Sequence, residues 1–484
     1  MKGSTFRPQD SFQTATDYRL LPFRFRRQDA SVLLTNEVGE FEFVDGAQFN
    51  ELVSHRLRPG ATYNSLKSKH FLSDGDVRVP LALLATKVRT KRDFLSGFTR
   101  LHIFVVSLRC DHTCPYCQVS RVTQDKNRFD MSPETAMKAI DWVFCSPAPE
   151  MKIEFQGGEP TLNWPLVEQV VTVSSERAIA ENRKLEFVVA TNLSALDDRM
   201  LVFCQQYNIH LSTSLDGPAD LHNANRPRPG RDSYERFRRN LELARTVLGH
   251  DRVSALMTTT PAALTRVKSI IDEYVSLSFD SIFLRPISPY GFAKRTGLDQ
   301  SYGAETFLTF YREGLEHIIE LNRRGIPFVE TFAQILLRKI LTPFSVGYVD
   351  LQSPAALGTG VLVYNYDGDV YASDEGRMLA EMGDRSFRLG RISDRHQDVM
   401  TSARLRLLTE KSCLEVMPGC SECAYSPYCG ADPVQNWATQ GDPVGHRPTS
   451  EFCSRQTGIF EYLFDVLRNG DEFTRRLFFA WASM

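Results

Sequence analysis

Between residues 101 and 286 the chain alternates, six times over, between short apolar runs and longer amphipathic stretches. The strand-like runs are Leu101–Leu108, Met151–Gln156, Leu185–Thr191, Ile209–Leu215, Val253–Thr259 and Ser281–Pro286. The helix-like stretches between them are Ser132–Phe144, Trp164–Glu181, Asp197–Tyr207, Ser233–Leu248 and Leu264–Leu277. Ser132 before Pro133 is a strong helix start, a capping hydroxyl followed by proline at the first helical position. Such alternation leaves few topologies, because parallel strands need right-handed crossovers that place helices on the outside. The expected fold class is α/β, either an open parallel sheet or a partial (β/α)6 barrel. Both put ligands at the C-terminal ends of the strands.

Two parts flank this repeat. Ser31–Asn36 and Glu40–Val44 read as strands joined by a Glu-Val-Gly turn, followed by an amphipathic stretch, Gly46–Leu57, with Phe49, Leu52 and Val53 at helical spacing. Beyond residue 303 come helices (Ala304–Arg324, Phe328–Leu341), a hairpin of Val361–Tyr364 and Val370–Ala372, a cysteine-rich segment over 413–453 and an apolar helix, Gly458–Leu467. The expected organisation is an α+β module over 1–95, the repeat over 96–300, and a helical bridge with a cysteine-rich unit over 301–484. Met1–Thr14 is polar and expected to be poorly ordered.

A formal net charge of −2 over 484 residues gives no global argument for nucleic acid or membrane binding. No stretch reaches the length of a membrane span and no signal-peptide core is visible, so a cytoplasmic location is expected. In that setting clustered cysteines ligate metal more often than they form disulfides. Cys110, Cys114 and Cys117 form one cluster; Cys420, Cys423, Cys429 and Cys453, with Cys413 nearby, form another. Cys145 and Cys204 lie in apolar helical contexts and read as buried core thiols.

The first cluster directly follows the first strand, where residues 110–117 read Cys-Asp-His-Thr-Cys-Pro-Tyr-Cys. Three thiolates on one loop can hold three irons of a cubane and leave the fourth open. Four-cysteine ligation is usual for a cluster that only carries electrons. Other strand ends carry polar constellations too: Gln156–Pro160, Thr191 with Asn192, Ser214–Pro218, and Arg285 with Pro286. Any one of these can be a plain turn punctuated by Gly and Pro. Five on one rim indicate a site.

Together these motifs resemble the radical S-adenosylmethionine (radical SAM) superfamily over about residues 100–290. The resemblance implies a partial (β/α)6 barrel of the radical SAM type. It implies that Cys110, Cys114 and Cys117 ligate a [4Fe–4S] cluster, with Tyr116 at the aromatic position before the last cysteine. Gln156 leads into Gly157, Gly158, Glu159 and Pro160, which match the element whose backbone approaches the methionine amino group of S-adenosylmethionine. Asn192 matches a ribose contact, and Ser214 and Arg226 match residues that hold the cofactor carboxylate. A guanidinium suits that task because it binds a carboxylate bidentately; Arg226 also reads as a surface residue of a basic loop with Arg228 and Arg231. The implied chemistry is reductive cleavage of the cofactor to a 5′-deoxyadenosyl radical that abstracts a substrate hydrogen, the protein supplying position and water exclusion. Asp216 is a candidate catalytic proton acceptor, or equally a residue that holds a turn. His210, His222 and His446 show no ligand-like spacing.

The second cluster resembles the SPASM extension of radical SAM enzymes that modify peptides and proteins. The fuller pattern uses seven cysteines for two auxiliary clusters, but here Ser373 and Pro433 stand where two of them belong. The resemblance then implies one auxiliary [4Fe–4S] cluster on Cys420, Cys423, Cys429 and Cys453, closed to substrate. A structural Cys₄ zinc site is the other reading. Cys413 is expected to be free.

Leu20–Phe25, Asn36–Glu40 and 419–430 resemble the maturases of the His-Xaa-Ser peptide system, and residues 20–72 resemble winged-helix leader-recognition domains that add a leader peptide as an edge strand. A plain packing extension is the alternative for that module. The resemblance implies a ribosomally synthesised precursor peptide (leader plus core) as substrate and an electron donor such as flavodoxin or ferredoxin, with no nucleic acid and no membrane partner. The implied product is a side-chain crosslink, C–C or C–X. Two further readings are a sulfatase-maturase-like oxidation of Cys or Ser to formylglycine, against which the missing first auxiliary cluster counts, and a non-catalytic metal-containing peptide-binding scaffold, which predicts broken cofactor motifs.

Overall fold

A computed structural model describes residues 18–28, 31–122 and 124–484; Met1–Thr14 lies outside the described residues. The N-terminal unit carries three antiparallel strands, β1 (Arg24–Gln28), β2 (Ser31–Thr35) and β3 (Phe41–Asp45), with β2 in the middle. α1 (Gly46–Val53) begins at a capping box in which Asp45 accepts from the backbone of Gln48. It buries Phe49 and Leu52, but it ends four residues before the expected Leu57 and leaves Val53 exposed. α2 (Ala61–Ser68) and α3 (Arg78–Lys91) complete the unit. Alternation along β2 splits its side chains between two cores: Val32 and Leu34 pack with α1 and α2, Leu33 with the main core.

The main core surrounds a mixed eight-stranded sheet. Five strands of the repeat run parallel in sequence order: β4 (Leu101–Ser107), β5 (Glu150–Gly157), β6 (Lys184–Ala190), β7 (His210–Ser214) and β8 (Val253–Leu256). Helices α4 (Pro133–Phe144), α5 (Trp164–Ala180), α6 (Asp198–Gln206), α7 (Ser233–Leu248) and α8 (Val267–Ser276) alternate with them. The sixth expected strand is reduced to β9 (Ser281–Ile282), which leaves the sheet to pair with β10 (Val329–Glu330); a bridge from Thr259 to Pro286 ties it back.

At the opposite edge β11 (Val361–Tyr364) pairs parallel with β4, followed by antiparallel β12 (Asp369–Tyr371) and β13 (Arg388–Arg391). The C-terminal hairpin thus extends the sheet. The composition of β4 explains why. Its continuous apolar run is buried on both faces, a pattern that suits an internal strand and not an edge.

α9 (Ala304–Arg323) and α10 (Thr331–Leu341) follow the repeat; α11 (Asp374–Ala380), α12 (Pro433–Gln440), α13 (Glu451–Asn469) and α14 (Glu472–Ser483) complete the chain. The N-terminal sheet sits on the cysteine-rich segment. Thr35 donates to the Ala424 carbonyl at 2.7 Å, Tyr428 donates to the Gly39 carbonyl at 2.9 Å, and Phe41 packs edge-on against Phe464. Cys204 is buried as expected, but Cys145 is exposed, because it caps the end of α4 outside that helix's buried face. Among the described residues no helix is long and apolar enough to cross a membrane.

Candidate functional site

The C-terminal ends of β4 to β7 open on one cavity of about 440 Å³. Cys110, Cys114, Tyr116 and Cys117 line it from the loop after β4, and Gln156, Gly157 and Gly158 from the end of β5. Asn192 and Ser214 line it from the next two strand ends and Arg226 from the end of the short helix Ala219–Asn225, whereas Glu159, Pro160 and Asp216 are not part of its lining.

Local chemistry fixes this arrangement. A Cβ on Gly157 would stand 1.9 Å from the Ser107 carbonyl oxygen, and one on Gly158 would stand 2.3 Å from that of Arg109. The glycines therefore let the end of β5 press against the start of the cysteine loop. The Gly158 N–H donates to the Ser107 carbonyl at 2.8 Å and the Glu159 N–H to the Arg109 carbonyl at 2.7 Å. Beyond the cofactor-facing role that the sequence implies, both glycines are required by this strand-to-strand contact. Glu159, 1 % exposed, accepts from the hydroxyls of Thr161 (2.6 Å) and Thr191 (2.7 Å) and from the Asn192 N–H (2.7 Å). Its carboxylate thus holds the end of β6 in place. The Asn192 amide donates to Asp111 at 2.9 Å, which ties the β6 end to the cysteine loop.

Asp216 is completely buried and satisfied by four donors. Tyr116 donates its hydroxyl at 2.5 Å, Arg226 donates Nε at 3.1 Å and Nη2 at 3.2 Å, and the Thr258 N–H donates at 3.3 Å. The Arg226 guanidinium also lies 5.5 Å from the centre of the Tyr116 ring. Arg226 is therefore a half-sheltered cavity residue and not part of a solvated basic loop, with its side chain only 13 % exposed. His222 is buried behind Asp216, His210 hydrogen-bonds Ser254, and His446 is exposed beside Thr449.

Burial pushes the Cys110 thiol well above its ordinary range, with the charge of Glu159 adding to the effect. Burial likewise pushes Cys114 up to about 12, against the pull of Arg226. Thiolates in such surroundings need a bound cationic centre to stabilise them.

The acidic part of the cavity lining was not foreseen. It carries Asp350, Asp374, Glu375 and Asp432, with Tyr348 and Arg285 beside them. Ser373 caps α11 by accepting from the Gly376 N–H at 3.1 Å, and Pro433 is the first residue of α12, which Asp432 caps at 2.8 Å through the Gln435 N–H. The two positions where cysteines were missed are thus helix starts on the cavity wall. The signal was present as Ser-Asp-Glu and Asp-Pro, both helix-start patterns.

Cys420, Cys423, Cys429 and Cys453 line a separate cavity of about 40 Å³, with Tyr425 and Phe460 among its other walls. Cys413 lies outside it, donating its thiol to Glu415 at 3.1 Å. Burial pushes the Cys429 thiol up to about 12. Among the described residues the one Cys/His/Asp/Glu trio with ligand atoms within 4.8 Å of each other is Cys110, Asp111 and His112.

Comparison with known proteins agrees with this geometry. Residues 104–262 match the sequence model of the Radical SAM superfamily. The chain is similar to the radical SAM cyclopropyl synthase TigE of Paramaledivibacter caminithermalis, at 24 % identity over 44 % of this chain and 45 % of that enzyme, so it spans about half of that relative. It is similar to a cysteine-type anaerobic sulfatase-maturating enzyme of Clostridium perfringens, at 21 % identity over 74 % of this chain and 95 % of the enzyme. Among solved structures, native anSMEcpe with bound AdoMet shares the fold with a TM-score of 0.64 and 18 % identity, covering 78 % of this chain and 100 % of that one. Streptococcus suis SuiB bound to the precursor peptide SuiA does so with a TM-score of 0.53 and 12 % identity, covering 90 % of this chain and 98 % of that one. The cysteine loop and the strand ends that line the cavity with it therefore lie within the stretch that matches the Radical SAM superfamily.

Proposed function

We propose that this chain is a radical SAM enzyme that modifies a ribosomally synthesised peptide and installs a side-chain crosslink. The observation that carries the reading is the convergence of Cys110, Cys114 and Cys117 with Gly157, Asn192, Ser214 and Arg226 on one cavity. The three half-buried thiols, of which Cys110 and Cys114 are pushed well up, fit a [4Fe–4S] cluster with S-adenosylmethionine beside it, which when bound supply a 5′-deoxyadenosyl radical for hydrogen abstraction. Arg226, aimed by Asp216 and Tyr116, is placed to bind the cofactor carboxylate. Asp216 has no free acceptor facing the cavity, so its role is to position Arg226.

Cys420, Cys423, Cys429 and Cys453 fit a second, closed cluster. A tetrahedral zinc with Zn–S bonds of about 2.3 Å brings its sulfurs to about 3.8 Å of one another, and no three of these four come within 4.8 Å. We assign residues 1–95 to substrate recognition, 96–300 to the radical SAM barrel and 301–484 to the SPASM-like unit. The peptide partner is supported by SuiB, a fold neighbour crystallised with its precursor.

Formylglycine formation is the second reading, favoured by similarity over 95 % of the sulfatase-maturating enzyme. One experiment separates the two. The enzyme is reconstituted anaerobically with S-adenosylmethionine, reductant and peptides from small open reading frames beside its gene. Crosslinking predicts deoxyadenosine and a peptide lighter by two hydrogens that does not react with hydrazides; formylglycine predicts a hydrazide-reactive aldehyde. Absence of deoxyadenosine under all conditions contradicts both.

A further inference from the structure

The two cysteine sites meet at one segment of backbone. Cys429, Gly430 and Ala431 line the smaller cavity, and Ala431 and Asp432 line the larger one. We propose that Lys339 tunes the second cysteine site: its ammonium, held against the Cys429 backbone, raises the reduction potential of a cluster bound there. The inference rests on the second-cluster reading of Cys420, Cys423, Cys429 and Cys453, and it names a residue that adjusts that site.

Three observations carry it. First, Lys339 Nζ on α10 donates to two backbone carbonyls, those of Leu351 and of Cys429, the latter at 2.9 Å. Second, no Asp or Glu oxygen among the described residues lies within 4.0 Å of this nitrogen. A sheltered ammonium without a carboxylate is costly unless another negative charge faces it. Four thiolates outweigh the positive charge of a cubane core and leave such a charge. Third, close packing fixes the contact. A Cβ on Gly430 would stand 2.0 Å from the Asp350 carbonyl oxygen, so the backbone after Cys429 presses against Asp350 and Leu351, and Lys339 bridges the two segments.

The electrostatics agree. Burial acts against the Lys339 ammonium; of the charges around it, Cys429 favours it most, Lys91 opposes it and Glu415 favours it. The influence is reciprocal, since Lys339 pulls down the Cys429 thiol that burial pushes up. Reduction adds one negative charge to a cluster. A fixed positive charge beside a ligand therefore stabilises the reduced form over the oxidised one, and more so where water is excluded.

The test is a potentiometric titration of the full-length C110A/C114A/C117A protein, reconstituted anaerobically and followed by electron paramagnetic resonance, so that only the second site contributes. Dithionite supplies the one electron, and no atom is transferred. K339Q keeps a hydrogen-bond donor without the charge, K339M keeps neither, and K339R keeps both. At a fixed potential the ratio of reduced to oxidised cluster is expected to fall at least about tenfold in K339Q and K339M, which is about 59 mV for a one-electron couple, and to stay within about threefold in K339R. A role confined to tying the two backbone segments together predicts an unshifted K339Q, and that result overturns the proposal; so does an equal shift in all three variants. Metal content separates this failure from failure of the second-cluster reading. Zinc in the triple variant, or fewer than about four irons per chain, sinks both, whereas a full iron content with an unshifted K339Q sinks only the role of Lys339.

Discussion

The two cysteine clusters use the same side chain in opposite surroundings. Cys110, Cys114 and Cys117 line a 440 Å³ cavity whose other walls mix charged and polar side chains with apolar ones such as Ile103, Met257 and Leu357. Cys420, Cys423, Cys429 and Cys453 enclose about 40 Å³ among aromatic and apolar neighbours, under the N-terminal sheet. The contrast lies in what the neighbours leave open. One set faces space for a cofactor and a substrate; the other borders about a tenth of that volume. A thiol set beside a roomy cavity can do chemistry, whereas one without that room can store electrons or hold the fold together.

Substitutions should separate the two sets sharply. C114A is expected to lower deoxyadenosine formation by about a thousandfold or more while far-UV circular dichroism stays native, because a reactive cluster tolerates no lost ligand. If C429S lowered cleavage as much, the contrast would be broken. Next in size, R226A should weaken S-adenosylmethionine binding by about ten- to a hundredfold, since it removes a charge-assisted carboxylate contact. D216N should reproduce part of that loss, because it leaves Arg226 in place but unaimed. Equilibrium binding to the reconstituted enzyme checks both.

Much of the open site was legible in sequence. Strand ends announce themselves through Gly, Pro and polar residues, and the parallel alternation places those ends on one rim. Three things were hidden. The role of Gly157 and Gly158 in admitting the Ser107–Arg109 backbone depends on which strands are neighbours. The burial of Arg226 behind a Tyr116–Asp216 contact is a tertiary fact that a local basic stretch conceals. The acidic lining comes from segments near residues 350, 375 and 432, which are far apart in sequence and meet at one cavity only in the folded chain. The sixth strand is shorter than the sequence predicts, because an apolar run looks alike whether it pairs within the main sheet or with β10.

Smaller effects sharpen the comparison further. C429S is expected to retain cofactor cleavage within about tenfold and to lower the melting temperature by about 5 °C, because the second cysteine site contributes to folding when loaded. Glu375 tests the open side through pH. Its folded pKa is raised by burial from the ordinary 4.5, so the stability linked to its protonated form is complete below about 4.5 and is lost as pH rises through the raised value. The melting temperature should therefore fall by a few degrees, about 2–4 °C, across that interval, and E375Q should flatten the slope. An unchanged slope would place the charge cluster elsewhere.

The central claim is that one cluster is open to cofactor and the other closed. Electron paramagnetic resonance of the reduced, reconstituted protein, recorded with and without S-adenosylmethionine, tests it most directly. The account predicts two reduced-cluster signals, of which the cofactor shifts one; that one is missing from the C110A/C114A/C117A variant, whose remaining signal does not respond. A cofactor-dependent shift that persists in the triple variant would contradict it.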